Sequence, residues 1–446
     1  MITRFSLLVL LSSTLTACAA DWARFRGPNG SGIAPDDKPV PVEWSATKNL
    51  KWKTALPGPG SSSPIVVGDR IFVTCWSGYA TDGQQGTGDI NALMRHLICV
   101  DRSTGKILWD KSVPAKQPEE RYGGMFAQNG YASHTPVSDG KSVFAFFGKS
   151  GVHAFDLEGK ALWQADVGDW DDRRGWGSAS SPILHGDVLV VPALVESQAL
   201  YGFDKNSGKQ LWKAPSEGFA GTWGTPVVAE VDGRADLAIA VPREVWGFNA
   251  DTGKLRWYAT GLQSDSVCNS VVTDGSTVFA ISERGGGSVA IKAGGKGDVS
   301  ATHTLWTGAN GSRIATPILW DDRLYWISGS IATCRDAKTG AEVYSERIEG
   351  STAAPSGGGG GQGFGGGGGR RGGGGGGDYA SPVVANGHLY HVGRRGEVLV
   401  IKLGPKFELI SRNTIEEDTS DHSATPAISN GQLFLRSAKT LYCVGE

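Results

Sequence analysis

The sequence predicts an all-β, eight-bladed β-propeller of four-stranded antiparallel blades. Three observations predict it. A module recurs eight times after residue 60, most copies carry a tight turn followed by an aromatic strand, and the one strand missing from the last copy is found near the N-terminus. Regular short strands with repeated turn chemistry are the signature of propeller blades.

Each module opens on a Ser or Thr, usually followed by Pro: Ser63-Pro64, Thr135-Pro136, Ser181-Pro182, Thr225-Pro226, Ser270, Thr316-Pro317, Ser381-Pro382 and Thr425-Pro426. Successive openings lie 72, 46, 44, 45, 46, 65 and 44 residues apart, and the two long spacings contain visible insertions. An alternating apolar run and a tight turn follow, then a second β-rich run. The third run ends in a small residue, one more residue and Asp or Asn. A Thr/Ser-Gly-Lys turn then leads to a fourth run ending in Trp. Cys99-Val100-Asp101 runs through Gly105-Lys106 to Trp109, and Ala154-Phe155-Asp156 through Gly159-Lys160 to Trp163. Gly202-Phe203-Asp204 leads to Trp212, and Gly247-Phe248-Asn249 to Trp257. The fifth copy is looser and ends at Trp306; the sixth has Tyr344 in place of Trp; the seventh keeps only its hydrophobic outline from Val398 to Leu409. The turn glycine supplies positive φ, and the Trp offers a large apolar surface to the next blade. A β-sandwich, the competing all-β fold, has no reason to repeat one turn eight times.

Closure is the internal check. The eighth module stops at Cys443-Val444 without a Trp strand, whereas Leu50-Lys51-Trp52-Lys53 is a Trp strand without a module. The N-terminal strand is therefore expected to complete the last blade and remove the exposed sheet edges. The domain plan is an export signal over residues 1–20, an N-terminal extension over 21–49, and the propeller over 50–446.

The export signal is read from Arg4, the apolar run from Phe5 to Leu11, and the small residues from Thr14 to Ala20. Leu15-Thr16-Ala17-Cys18 matches a lipobox, making Cys18 a lipidation candidate, and Ala17-Cys18-Ala19 also suits ordinary signal peptidase. Both routes stay open. The expected location is the periplasm or cell envelope, or outside the cell, with membrane contact only through such a lipid. Lys plus Arg (43) nearly balance Asp plus Glu (45), so no cationic footprint for nucleic acid is expected. The five remaining cysteines cannot all pair within one chain. Cys75 and Cys99 flank one hairpin and are a candidate disulfide, while Cys99, Cys334 and Cys443 occupy the small position before the turn and read as packing residues.

With the first strand of each blade on the axis, the longest connections share one face: residues 77–96, 110–133, 169–180 and 351–378. Long loops in compact domains concentrate function. The residues just before each opening are expected to ring the funnel there: His134, Trp176, Trp223, Asp265, Asn269, Arg313, Tyr379 and His422. Rings, a guanidinium, an amide and imidazoles suit a planar or anionic ligand. No catalytic residue is assigned and no metal ligand set is recognised; His134 and His422 lack ligand spacing. The Gly-rich stretch within 351–378 cannot form a core, and Glu230–Leu237 is read as a hairpin rather than a calcium loop.

The small-x-Asp-x-x-Thr-Gly-x-x-x-Trp pattern resembles the pyrroloquinoline-quinone (PQQ) repeat of quinoprotein-like propellers, from about residue 50 to the end. Trp22-Ala23-Arg24-Phe25-Arg26-Gly27-Pro28-Asn29-Gly30 resembles the opening of exported proteins of that superfamily. The resemblance implies one of two roles. One is non-enzymatic, as in the BamB-like branch: a binding or scaffold module holding a protein partner, a saccharide or a small ligand on the loop-rich face. The other is a PQQ-dependent alcohol or sugar dehydrogenase with calcium, in which Arg313 would pair with cofactor carboxylates and Asp265 act as base. The dehydrogenases carry adjacent cysteines against the quinone, and this chain has none. The expectation is therefore the binding module.

Overall fold

The Trp strands explain how the blades hold together. A computed structural model describes residues 21–446 apart from 37, 83–85, 123–125, 127–129, 283–285, 351–377 and 416–417. The export signal and nearly all of the Gly-rich stretch fall outside the described residues. Eight antiparallel sheets follow one another, each with its four strands A to D in the hydrogen-bonding order A-B-C-D. Blade 1 comprises Ile65–Val67, Arg70–Ser77, Met94–Asp101 and Ile107–Pro114. Blade 8 takes Ala427–Ser429, Gln432–Arg436 and Thr440–Val444 from the C-terminus and Leu50–Ala55 from the N-terminus. The orphan strand thus closes the ring, with Trp52 opposite Cys443.

Trp52, Trp109, Trp163, Trp212 and Trp306 each dock beneath the C–D turn of the following blade. In four of them the indole N–H donates to the carbonyl just after that turn's Asp: Trp52 to Arg102 (2.9 Å), Trp109 to Leu157 (3.0 Å), Trp163 to Lys205 (2.9 Å) and Trp306 to Ala337 (2.8 Å). The turn glycine lies on the ring with positive φ, as Gly105 does on Trp52 (φ 72°). A Cβ there would collide with the indole, so the glycine is fixed by close approach as well as by dihedral. The Asp shapes the turn by accepting local bonds; Asp101 takes the N–H groups of Ser103 and Thr104 and both of their hydroxyls. The small residue two before the Asp faces its own blade's Trp across the sheet, Gly202 opposite Trp212 and Gly247 opposite Trp257, with no space for a Cβ.

Blade 5 departs from the pattern for a visible reason. Its C–D connection carries a two-residue strand, Gly297–Asp298, that joins blade 4 beside Leu255–Thr260, and a short helix, Ser300–His303. No Thr-Gly-Lys turn reaches Trp257, whose N–H instead donates to the buried Asp236 of its own blade (2.8 Å). Glu230–Leu237 forms the expected hairpin, between Val227–Val231 and Arg234–Val241. Cys75 and Cys99 are free and buried. Cys99 pairs across the sheet with Phe72 and Cys75 with His96, which puts the two cysteines on opposite faces of blade 1 and rules out a disulfide.

Candidate functional site: a funnel closed at one end

The opening Ser/Thr residues form a hydrogen-bonded belt around the axis. From Ser63 to Ser381 the backbone N–H of each donates to the hydroxyl of the next: Ser63 to Thr135, Thr135 to Ser181, Ser181 to Thr225, Thr225 to Ser270, Ser270 to Thr316, Thr316 to Ser381 and Ser381 to Thr425, all at 2.9–3.0 Å. The following Pro holds the residue extended and withdraws an N–H that would need a partner. All eight side chains line one central cavity of about 170 Å³, well above the ~10–15 Å³ that a single water needs.

The N-terminal extension closes one end. Trp22 exchanges backbone bonds with Val66 (2.9 and 3.0 Å), Ala23 accepts from Ser138, and Gly32 and Ala34 bond Val384. These partners all lie in A strands beyond the hydroxyl belt, so the extension crosses the A–B end of the channel and Phe25 enters the cavity from that side. Arg26, fully buried, donates to the carbonyls of Gly30, Ser31, Thr316, Pro317 and Pro382. Arg24 donates to the Pro226 carbonyl (3.0 Å). Near the mouth, Arg436 donates to the carbonyl (2.8 Å) and hydroxyl of Ser62. Among the described residues no carboxylate pairs with any of these three guanidiniums. Burial lowers them, Arg24 and Arg436 to about 10 and Arg26 to about 9, so all three remain cationic at neutral pH.

The eight rim residues expected from sequence divide into two sets. Trp176, Trp223 and Tyr379 line the cavity. Phe126, Trp176 and Trp223 form a ladder, with centroids 5.7 Å and then 4.8 Å apart. Arg174 lies over both indoles at 5.6 and 5.9 Å, and the Trp223 N–H is pinned to the Gly177 carbonyl (2.7 Å). Tyr379 carries the Arg394 guanidinium 4.8 Å above its ring, and burial raises its phenol. The other five do not line the cavity. Asn269 is buried and donates to the Ala315 carbonyl (2.8 Å), and His422 bonds the Ser420 carbonyl through Nδ1 (2.8 Å). Asp265 is exposed beside Arg174, and Arg313 adjoins the lining residue Ile314.

His134 sits behind the wall. Its Nε2 meets Ser178 Oγ at 2.9 Å, and burial followed by the nearby Arg95 lowers its pKa to about 3, leaving a neutral imidazole. Ser178 lines the funnel and also bonds the carboxyl of Glu196. Glu196 is 2% exposed, its Oε2 has no partner, and burial raises its pKa to about 7. The folded state therefore binds this proton more tightly than the unfolded chain. Glu196 contributes its full stabilisation below pH 4.5 and loses it as pH rises to about 7. Glu196→Gln should abolish that slope and be more stable than the parent above pH 7 by about 3 kcal/mol, as read from urea unfolding at pH 5 and pH 8.

This architecture is an eight-bladed propeller with a blind, aromatic-walled funnel at its axis. The family model described as outer membrane protein assembly factor BamB matches residues 90–194 and 148–404. The chain belongs to this PQQ-like β-propeller family. It is similar to polyvinylalcohol dehydrogenase of Sphingopyxis sp., 24% identical over 49% of this chain and 36% of that protein. It is also similar to tetrathionate hydrolase of Acidithiobacillus ferrooxidans, 22% identical over 47% of this chain and 42% of that protein. The chain thus spans well under two thirds of the length of those curated relatives. Among solved structures, BamB from Moraxella catarrhalis superposes with a TM-score of 0.59 and 11% identity, covering 89% of this chain and 99% of that one. A europium-containing methanol dehydrogenase gives 0.63 and 10%, covering 96% and 98%. At these identities the structures share the fold.

Proposed function

We propose that this protein is an exported binding module of the cell envelope whose funnel takes a small ring-bearing acid, an acidic saccharide being the chemistry that uses every part of the site. The observation that carries the reading is the aromatic ladder standing over a belt of eight hydroxyls in a cavity closed beneath. A sugar ring presents a C–H face to Trp176 or Trp223, its hydroxyls meet the belt, and its carboxylate lies in the field of the buried Arg24, Arg26 and Arg436. The leader pattern at residues 1–20 and the outer-membrane description of the matching family support the envelope location. Among the described residues no helix is long and apolar enough to cross a membrane.

Tryptophan fluorescence and calorimetric titration with galacturonate oligomers, against neutral galactose oligomers of equal length, test the reading. Trp176→Ala and Trp223→Ala should each weaken binding at least ~10-fold, since each removes about 1–3 kcal/mol of stacking. Absence of binding to either series overturns it.

The similarity to polyvinylalcohol dehydrogenase favours a second reading, a PQQ-dependent oxidoreductase with calcium. The residues lining the cavity do not fit that pair. Calcium takes carboxylate and carbonyl oxygens, and no Asp or Glu is among the lining residues. Cys268 is the lone cysteine there, with Asn269 as its neighbour. Titration with pyrroloquinoline quinone, with and without calcium, followed by a dye-linked dehydrogenase assay, decides between the two; calcium-dependent turnover would install the second.

A further inference from the structure

The B, C and D strands of blade 1 bring together three residues that lie outside the funnel lining. Cys75 faces His96 across the B–C ladder, and Ser112 faces His96 across the C–D ladder. Side chains alternate with a period of two. Ser77, two residues beyond Cys75, and Asp110, two before Ser112, therefore project on the same face as His96 and reach it diagonally. The outcome is a linear array. His96 Nε2 meets Ser77 Oγ at 2.8 Å, and His96 Nδ1 meets the two Asp110 oxygens at 2.9 and 3.1 Å.

We propose that Ser77, His96 and Asp110 form a nucleophilic triad that cleaves acyl esters. With Asp110 accepting from Nδ1–H, the imidazole proton sits on Nδ1 and Nε2 is left to accept from the Ser77 hydroxyl. Connectivity of this kind, with acid to Nδ1 and hydroxyl to Nε2, is what activates a serine. Ser77 Oγ bonds to the ester carbonyl carbon while its proton passes to His96 Nε2. The carbonyl carbon–alkoxy oxygen bond then breaks, and the departing alcohol takes that proton. Water repeats the sequence on the acyl-serine, giving up a proton through His96 and releasing the acid and free Ser77. No oxidant, reductant or metal enters the balance. Ser77 and His96 are the catalytic residues and Asp110 is a positioning residue.

The site is open. Ser77 is partly exposed, and the side chains of His96 and Asp110 are 11% and 35% exposed. It stands where strand B gives way to the B–C loop, on the loop-rich face. An open ledge of this kind suits an ester displayed on a larger molecule, such as an O-acylated polysaccharide, better than a ligand enclosed in a cavity.

The test is labelling of the full chain by a fluorophosphonate probe, with the modified peptide identified by mass spectrometry, alongside hydrolysis of p-nitrophenyl acetate. The expected result is modification at Ser77 and its loss in Ser77→Ala. In His96→Gln and Asp110→Asn the labelling rate should fall about 10²–10⁴-fold, and the conservative Asp110→Glu should restore part of the rate lost in Asp110→Asn. Circular dichroism confirms that the variants are folded. Labelling of Ser77 no faster than of the exposed turn residue Ser103, or a rate unchanged in His96→Gln, overturns the proposal.

Discussion

Trp52→Ala is expected to lower the free energy of unfolding by about 3–5 kcal/mol, among the largest effects available to a single substitution here. Trp52 is 9% exposed, lies 6.2 Å from the Phe434 ring at a tilt of 40°, and donates to the Arg102 carbonyl of blade 1. The loss has three parts: buried aromatic area, an unfilled cavity against Gly105, and the bond that ties the first blade to the last. Any other D-strand Trp joins two blades that are also neighbours in sequence. Trp52 alone joins the two ends of the chain, so its removal also weakens closure of the ring. Equilibrium unfolding in guanidinium, compared with Trp163→Ala as an internal-blade reference, measures the difference. Equal losses in the two variants would mean that closure is no weaker a joint than any other.

Arg26→Met is expected to cost about 3 kcal/mol or more, because several buried carbonyls lose their donor together. Thr316, Pro317 and Pro382 belong to blades 6 and 7, whereas Gly30 and Ser31 belong to the extension itself. One guanidinium thus fastens the closing segment to two blades. Arg26→Lys keeps the charge but loses the planar five-donor fork, so it should recover the electrostatic contribution to acid binding while regaining little of the stability. Thermal unfolding and titration with an acidic sugar separate the two effects. A methionine variant as stable as the parent would show that backbone pairing of Trp22 and Val384 suffices to hold the segment.

The blade count, the closing strand and the looseness of blade 5 were legible because each depends on local chemistry. A glycine that must take positive φ and a Trp that must find a carbonyl leave marks at fixed spacing. The division of the funnel residues was not legible. Counting back from each opening finds the right loops but not the direction of each side chain. His134 and Asn269 turn behind the wall, where His134 meets Ser178 and the Asn269 amide N–H donates to the Ala315 carbonyl. Trp176 turns inward, where it stacks between Phe126 and Trp223. The hydroxyl belt was visible as a row of Ser/Thr-Pro pairs, and only the ring geometry reveals that each hydroxyl serves its neighbour. Ser77, His96 and Asp110 had no spacing to announce them, since the B–C connection between strands ending at Ser77 and beginning at Met94 hides their shared parity.

The segment that closes the funnel also gives the molecule a direction. Asp21 accepts the Gly68 N–H at the A–B turn of blade 1 (2.8 Å), and Trp22 follows into the A strand beside it. Asp21 therefore stands at the sealed pole, opposite the mouth ringed by Trp176, Trp223 and Tyr379. Anything that holds the protein by its N-terminal end grips it like the stem of a goblet, with the bowl turned outward. The acidic ligand proposed above would then arrive from the side away from the point of attachment.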